Sequence, residues 1–332
     1  MLLGLSTVFV LASGLRSVLA DPSQAPALSA SPSPTPSASI RFQEFALPTL
    51  GANARSITRG PDGALWFTET DNNAIGRVTV AGGVSRFAVP TSASSPTIIT
   101  LGPDGALWFT EKSSGLIGRV TTKGVFKELK LPTKFSAPVG IVTGPDGNLW
   151  FTEYVADKVG QMTPGGQVLE FPIGAQSGAT EIIVGPDNNL WFAEQNGNKI
   201  GCITTTGTLT EFPLPGNNNY PTSLAAGPDG AVWFTEVGSG RIGRITTAGK
   251  VQTYLIPTRH SGPSGITVGP DGNIWFTENN VNQLGEVNVT TGTIREVPLP
   301  TLAAGPFGIV TGPDNSLWVV ESNADRIARY AI

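Results

Sequence analysis

Cysteine and histidine are almost absent from the sequence, with one residue of each among 332. The single Cys202 excludes an internal disulfide, and a chain of this length has a core large enough to fold without one. The single His260 has no cysteine or second histidine near it, so it is a weak metal-binding signal. The chain also lacks G-x-S-x-G, a phosphate-binding loop, C-x-x-C, and a G-x-G-x-x-G that joins a strand to a helix. These absences exclude most enzyme classes that a local motif identifies.

Charge is scarce as well. Charged residues make up 14% of the chain, and the formal net charge is -4. An average globular protein has about 25% charged residues. The sequence contains no basic run and no alternation of basic with aromatic residues. The composition therefore argues against a nucleic acid as a partner.

No apolar run reaches the ~20 residues that a membrane-spanning helix needs. Residues 1–20 contain an apolar segment that ends in Val18-Leu19-Ala20, which fits the small-residue rule for signal-peptide cleavage. The usual positive n-region is missing, and an uncleaved anchor is the alternative. We predict a cleaved signal peptide over 1–20 and a secreted, periplasmic or cell-surface protein without a transmembrane domain. Residues 21–39, rich in Pro, Ser and Ala, are predicted to form an extended linker, with a simple disordered tail as the other interpretation.

What the sequence does contain is a repeat, typified by GPDGNLWFTE at residues 144–153. Each repeat carries one tryptophan, spaced 41 to 43 residues from the next, and the chain has no others. They are Trp66, Trp108, Trp150, Trp191, Trp233, Trp275 and Trp318. A period of 40 to 45 residues with strand-like units is typical of propeller blades.

The third unit predicts four short antiparallel strands. We expect strand a at 138–143, strand b at 148–152, strand c at 158–163 and strand d at 167–172. The GPDG sequence between a and b is a hairpin turn, because Pro presets φ and Gly supplies a positive φ. No helical period occurs in any unit. The repeated Trp is expected to act as a wedge between blades.

Strand counting predicts how the ring closes. The last unit ends in a c strand at 326–332 with no d strand after it, whereas residues 41–48 resemble a d strand with no a, b or c before it. The N-terminal strand is therefore expected to complete the last blade and remove a free sheet edge. We predict an all-β, seven-bladed propeller of four-stranded antiparallel blades over residues 40–332.

A glutamate follows the tryptophan strand in every unit. These residues are Glu69, Glu111, Glu153, Glu194, Glu236, Glu278 and Glu321. A ring of carboxylates at a channel mouth could hold a divalent cation. The alternative, favoured because all seven units carry the residue, is that each Glu caps its own b–c loop or pairs with an arginine of strand c. Candidate arginines are Arg77, Arg119, Arg244 and Arg329.

The units P-x-G-I-x-x-G-P-D-G-x-L-W-F-T-E, followed by I-G-R-I-T and x-E-F-P-L-P, closely resemble the virginiamycin B lyase (streptogramin lyase) family over about residues 41–332. They resemble NHL-type propeller repeats more distantly. The resemblance implies a seven-bladed propeller and a carbon–oxygen lyase that opens the ester-linked ring of streptogramin B antibiotics. In that Mg²⁺-assisted elimination a His removes the proton α to the carbonyl, and the metal stabilises the enolate.

The catalytic positions that the resemblance implies are mostly changed in this chain. The motif P-F-G-I puts Phe307 where the family has its general-base His, and P-S-G-I puts Ser264 where it has a substrate-contacting His. One metal-binding Glu position is occupied by Gly305, and the other matches Glu321. His260 lies four residues before Ser264, so it is not an aligned replacement, although the same loop could bring it nearby.

Phe cannot accept a proton, so we expect a secreted lyase-like propeller that binds a small-molecule or surface ligand on its top face. It is expected to be a monomer and to need no cofactor. The ligand would meet the second residue of each strand a, namely Arg55, Thr97, Val139, Thr180, Thr222, Ser264 and Phe307. One alternative is an active Mg²⁺-dependent C–O lyase opening a streptogramin-B-type lactone, with His260 as base and Glu321 as metal ligand. Another is a purely structural surface module, so the sequence leaves open whether the chain is an enzyme.

Overall fold

The computed structural model describes residues 41–332, which form β-strands and no helix. Four-stranded antiparallel sheets recur seven times within this range. This confirms the predicted all-β, seven-bladed propeller. The predicted signal peptide (1–20) and linker (21–39) lie outside the described residues. Within residues 41–332 there is no helix that is long and apolar enough to cross a membrane.

The strands follow the repeat closely. The first are β1 (Phe42–Ala46), β2 (Ala54–Arg59), β3 (Leu65–Glu69), β4 (Ala74–Val78), β5 (Val84–Ala88), β6 (Pro96–Leu101), β7 (Leu107–Glu111), β8 (Leu116–Val120) and β9 (Phe126–Lys130). Next come β10 (Pro138–Thr143), β11 (Leu149–Glu153), β12 (Lys158–Met162), β13 (Val168–Pro172), β14 (Ala179–Val184), β15 (Leu190–Glu194), β16 (Lys199–Ile203), β17 (Leu209–Pro213), β18 (Pro221–Ala226) and β19 (Ala231–Glu236). The last are β20 (Arg241–Thr246), β21 (Val251–Leu255), β22 (Pro263–Val268), β23 (Ile274–Glu278), β24 (Gln283–Val287), β25 (Ile294–Pro298), β26 (Pro306–Thr311), β27 (Leu317–Glu321) and β28 (Arg326–Tyr330).

The ring closes as the strand count predicts. The sheet of the seventh blade has the order β1-β28-β27-β26, so the first strand of the chain is the outer strand of the last blade. Phe42 lies opposite Tyr330 in the antiparallel register, and Ala46 lies opposite Arg326. The ring of Phe45 stacks on that of Trp318 with the centroids 5.5 Å apart. This pairing leaves no unpaired outer edge on β28.

Apolar packing lies between the blades. Each of seven clusters of buried side chains joins two neighbouring blades; one of them combines Trp66 and Ile75 with Leu107 and Phe109. All seven tryptophans are fully buried. Their indole N–H groups donate to the aspartate of the preceding GPD turn, as Trp150 does to Asp146 at 3.1 Å. The wedge role predicted for the tryptophan is therefore the observed one, and the hydrogen bond satisfies its single polar group.

A glycine of the GPD turn in every repeat, and a glycine of strand c in the first six, make room for these aromatic rings. A Cβ added at Gly144, the first residue of GPDG, would lie 2.5 Å from Cδ1 of Trp150. A Cβ added at Gly160, in strand c, would lie 2.1 Å from Cζ of Phe151. The aromatic rings of the L-W-F segment therefore explain why glycine recurs in the G-P-D turn and in strand c, because a larger residue would collide with them.

Two faces of the propeller follow from this topology. The GPD turns between strands a and b lie on one face, which we call the bottom face. The loops that lead from strand d to the next strand a lie on the opposite, top face. These top loops are residues 47–53, 89–95, 131–137, 173–178, 214–220, 256–262 and 299–305.

Candidate functional site

The first strands of the seven blades surround a central cavity of about 240 Å³ near the top face. The second residue of every strand a lines it, so the structure brings together all members of the ring that the sequence indicates. They are Arg55, Thr97, Val139, Thr180, Thr222, Ser264 and Phe307. Residues at the third and fourth positions of strand a complete the wall, together with Lys112 and Gln195, which directly follow two of the b strands. This cavity is the candidate functional site.

A repeated threonine fixes the position of this ring. In the sixth blade, the hydroxyl of Thr277 accepts a hydrogen bond from the backbone N–H of Gly265 at 2.9 Å. It also donates to the carbonyl of Phe307, in the next blade, at 2.7 Å. The second blade repeats the arrangement, with Thr110 donating to the carbonyl of Val139 at 2.7 Å. The T of L-W-F-T-E thus connects strand b of one blade to the cavity wall of the next.

Glycines allow the walls to approach one another closely. A Cβ added at Gly140 would lie 2.3 Å from the carbonyl oxygen of Thr180, and one added at Gly265 would lie 2.3 Å from that of Phe307. At Gly308 the corresponding distance is 2.4 Å, to the carbonyl oxygen of Arg55. Each of these distances is shorter than real Cβ contacts. The G of P-x-G-I is therefore a packing requirement in these three blades.

Two cations at the rim of the cavity each lie over an aromatic ring. The guanidinium carbon of Arg55 is 5.0 Å from the centroid of Phe307. The ammonium of Lys112 is 5.2 Å from the centroid of Tyr154. Such cation–π contacts contribute about 0.5–1 kcal/mol at exposed sites. The position at which the resemblance implies a general base thus carries an apolar ring that packs under a guanidinium.

Glu181 is a cavity residue that the sequence interpretation missed. It occupies the third position of strand a in the fourth blade, and it lines the cavity. Its Oε2 accepts hydrogen bonds from the hydroxyl of Ser223 and from the backbone N–H of Leu224, the latter at 3.1 Å. Burial raises the pKa of Glu181 to about 7, although these two hydrogen bonds oppose the change. The available signal was A-T-E-I, where most other units have Gly or Ser in place of the glutamate.

The seven glutamates at the ends of the b strands do not form a ring at the mouth of the cavity. None of them lines it, and all are buried, with at most 1% exposed. Some accept hydrogen bonds from neighbouring hydroxyls, as Glu194 does from Ser177 at 3.0 Å and Glu236 from Ser239 at 2.6 Å. Burial raises the pKa of Glu153 to about 7. These carboxyl groups are structural parts of the blades.

The four candidate arginines of the c strands, Arg77, Arg119, Arg244 and Arg329, do not pair with these glutamates. Each donates instead to the aspartate of its own GPD turn at the bottom face, as Arg77 does to Asp62 and Arg244 to Asp229, both at 2.6 Å. The predicted Arg–Glu pairing is therefore wrong for these residues. The reason is the hairpin register, which places Arg77 opposite Trp66 and not opposite Glu69.

His260 and Glu321 lie apart from the cavity wall. His260 is exposed in a top loop with a φ of 56°, and it is not among the lining residues. Glu321 is fully buried, and within residues 41–332 neither of its carboxyl oxygens has a hydrogen-bond partner. Burial, together with the nearby Glu44, raises the pKa of Glu321 to about 7, against the opposing effect of Arg326.

These residues do not fit the magnesium ion that the resemblance implies. Mg²⁺ prefers near-octahedral oxygen ligands that include carboxylates. Gly305 has no side chain to offer at one family ligand position, and Glu321 holds its carboxyl group away from the cavity. Among residues 41–332, no group of three or more His, Cys, Asp or Glu side chains is arranged to hold a metal ion.

Comparison with known proteins gives a consistent result. The family model described as the virginiamycin B lyase family matches residues 37–177 and 173–332. A streptogramin B lyase structure matches with a TM-score of 0.84 and 38% identity, covering 87% of this chain and 97% of that chain. Virginiamycin B lyase from Staphylococcus aureus matches with a TM-score of 0.84 and 35% identity, covering 88% of this chain and 99% of that chain.

A third structure similar to this chain contains a ligand. It is a catalytically inactive histidine-to-alanine variant of virginiamycin B lyase from Staphylococcus aureus with quinupristin, with a TM-score of 0.83 and 35% identity. The match covers 88% of this chain and 99% of that chain. The extracellular domain of a hybrid two-component system from B. thetaiotaomicron has a TM-score of 0.68 at 16% identity and covers 87% of this chain and 42% of that chain. That last likeness concerns the fold alone.

Proposed function

The chain belongs to the virginiamycin B lyase family, and from this premise we propose that it is a secreted binding propeller. It takes up a small ligand in the central cavity and does not catalyse the ring-opening elimination. The observation that carries the proposal is the contact of Arg55 with Phe307, 5.0 Å from guanidinium carbon to ring centroid. Phe307 stands at the family's general-base position, and its ring cannot accept a proton.

The remaining positions support the same function. Ser264, at the position of the substrate-contacting histidine, is 8% exposed, and its hydroxyl donates to the carbonyl of Gly262 at 3.2 Å. An unactivated serine hydroxyl is a poor general base at neutral pH. Loss of a general base alone typically lowers a rate by about 10²–10⁴-fold. Because Gly305 stands where the resemblance implies a metal ligand, binding of the Mg²⁺ that would stabilise the enolate is weakened as well.

Binding is supported by the shape and composition of the cavity. It is concave and bounded by the seven first strands, and it exposes more apolar than polar surface, although hydroxyl and charged side chains also line it. Small-molecule sites are typically concave, mostly apolar and supplied with few polar groups. Secretion is supported by the apolar segment in residues 1–20 and its Val18-Leu19-Ala20 ending.

Ring opening of a streptogramin B by the purified full-length chain tests the proposal, with Mg²⁺ in one series and EDTA in the other. Elimination opens the ring without adding water, so the product keeps the substrate mass, whereas hydrolysis adds the mass of one water. The structurally similar streptogramin B lyase is the positive control. We expect no metal-dependent turnover by this chain. EDTA-sensitive ring opening by this chain would contradict the proposal.

One observation favours the alternative of an Mg²⁺-dependent C–O lyase. Glu321 is retained at a family metal-ligand position. The same assay decides between the two functions, because His260→Ala would abolish turnover if the exposed loop histidine supplied the base. In the binding function, that substitution has no effect on ligand uptake.

A further inference from the structure

The rim of the central cavity carries positive charge that no carboxylate neutralises. Among residues 41–332, neither Arg55 nor Lys112 forms a salt bridge. Both line the cavity, and both lie over aromatic rings instead. A cation that packs on a ring keeps its N–H groups available to an anion. The rim is therefore electrostatically suited to a negatively charged group.

The cavity exposes more apolar than polar surface. Ile57, Ile98, Ile266 and Ile309 line the cavity together with the ring of Phe307. A ligand that fits both parts has an anionic end for the rim and an apolar, flat body for the wall. Aromatic bodies pack well against a phenyl ring and branched aliphatic side chains.

Glu181 is the one carboxyl group among the lining residues. The strands packed against its own strand, β14, are β10, β11, β15 and β18. The titratable groups on these four strands are Glu153 at the end of β11 and Glu194 at the end of β15. Within residues 41–332, no Lys or Arg lies within salt-bridge distance of Glu181. The cations that line the same cavity are Arg55 and Lys112.

We propose that the cavity binds a small aromatic carboxylate, with the anionic group at Arg55 and Lys112 and the ring against Phe307, and that Glu181 takes up a proton when the ligand binds. This inference rests on the proposed function, since it names the ligand class of the same cavity. The ligand anion and an ionised Glu181 would share a cavity of about 240 Å³, where charges interact more strongly than in water. The bound state therefore favours the protonated carboxyl group.

The direction in which the ligand affinity changes with pH follows from the coupling between ligand binding and proton binding to Glu181. Burial already raises the pKa of Glu181 to about 7 in the ligand-free protein. A bound anion raises it further, because like charge disfavours ionisation. Below about pH 6 the carboxyl group is already protonated, so the affinity changes little with pH. Above about pH 7 the ligand must bind together with a proton, and the affinity falls by up to about ten-fold per pH unit.

The experiment is calorimetric titration of the full-length protein with three probes of one shape and different charge. These are phenylacetate (anionic), 2-phenylethanol (neutral) and 2-phenylethylammonium (cationic). Each is titrated at about pH 6 and about pH 8, on either side of the pKa of the cavity carboxyl group. At the higher pH, two buffers of different ionisation enthalpy count the protons taken up. We expect phenylacetate to bind about 10- to 100-fold more tightly than the alcohol at the lower pH.

Variants separate the contributions of the residues. Glu181→Gln is expected to flatten the pH dependence and to remove proton uptake while phenylacetate still binds. Arg55→Met is expected to weaken phenylacetate binding by about ten-fold. The exposed Lys112→Met is expected to weaken it by about two- to five-fold. Lys127→Met, an exposed lysine on the outer strand β9, is the matched control and should bind as the wild type does.

The outcomes are distinguishable. Equal binding of all three probes would overturn the anion preference and leave the cavity a binding site. Phenylacetate binding by the wild type without proton uptake and without pH dependence would overturn the role of Glu181, even if the Glu181→Gln variant failed to fold. Binding of none of the probes would overturn this inference entirely. The proposed absence of lyase activity is decided separately, by the streptogramin assay.

Discussion

The hydroxyl of Thr277 donates a hydrogen bond to the backbone carbonyl of Phe307 at 2.7 Å, across the boundary between the sixth and seventh blades. The same hydroxyl accepts from the N–H of Gly265 at 2.9 Å. One buried side chain thus satisfies two backbone groups of two different blades. It also fixes the backbone of a residue that lines the cavity. Blade packing and the geometry of the candidate site are therefore coupled through the threonine of the L-W-F-T-E strand.

Thr277→Val is expected to destabilise the protein by roughly 1–3 kcal/mol, because it leaves a buried N–H and a buried carbonyl without their partner while keeping the side-chain volume. Urea unfolding measures the change. Thr210→Val, at an exposed position of the outer strand β17, is the control and should change stability by less than about 0.5 kcal/mol. Equal effects of the two substitutions would contradict the bridging role of Thr277.

Gly305 lies where the resemblance implies a metal ligand, and its positive φ disfavours a side chain there. Its φ is +60°, and an added Cβ would lie 2.4 Å from Nδ2 of Asn323. We expect Gly305→Ala to lower the free energy of unfolding by roughly 2–3 kcal/mol, from conformational strain and the steric clash together. Gly51→Ala is matched in φ, at +69°, but no atom lies within 4 Å of its added Cβ. It should cost only about 1 kcal/mol.

The comparison of these two glycine variants has a direct consequence for attempts to restore a metal site. Gly305→Glu would meet the same contact, so it should need Asn323→Gly to fold well. If Gly305→Ala proves no worse than Gly51→Ala, the steric contribution of Asn323 is negligible. Thermal or urea unfolding of both variants decides this.

The buried glutamates predict that stability falls as the pH rises. Burial, followed by the charge of Glu296, raises the pKa of Glu278 to about 7. In the unfolded chain a Glu titrates near about 4.3. Because the folded pKa is the higher one, the stabilising contribution is complete below about pH 4 and is lost progressively as the pH rises to about 7.

Glu278→Gln tests this prediction, since an amide keeps the shape of the protonated carboxyl group without its ionisation. The variant should be more stable than the wild type by roughly 1–3 kcal/mol at about pH 8. At about pH 4 the two proteins should differ little, which serves as the internal control. A difference that is the same at both pH values would show that ionisation of Glu278 is not the cause.

Much of this structure could be predicted from the sequence because the residues that determine each blade lie close together in the chain and recur in every unit. The Trp period gives the blade number, and the GPDG turn gives the a–b hairpin; the third unit's strand a was placed at 138–143, as β10 is. Closure could be predicted by counting strands. The second position of strand a identified the cavity wall because every blade presents that position to the same axis.

The failures have physical causes in the same repeats. Arg77 was a candidate partner for the glutamate of its own unit, but the register puts Arg77 opposite Trp66 and within reach of Asp62. Counting residues across the b–c loop would have revealed this. Glu181 was missed because five of the other six units have a small residue, Gly or Ser, at its position. Whether such a side chain faces a cavity depends on how closely neighbouring strands approach, which the sequence of one blade does not specify.

Removal of the first strand tests ring closure. A chain that begins at Pro48 lacks β1, so the edge of β28 loses its hydrogen-bonding partner, and Trp318 loses the stacked ring of Phe45. Thr301 also loses the carboxylate of Glu44, which accepts a hydrogen bond from the Thr301 hydroxyl at an oxygen–oxygen distance of 2.7 Å. A chain that begins at Arg41 keeps all of these contacts and is the matched control.

We expect the shorter chain to unfold at a much lower temperature and to self-associate through its exposed edge. Calorimetry with light scattering measures both effects. Equal melting temperatures for the two chains would mean that the ring does not depend on the N-terminal strand for its closure.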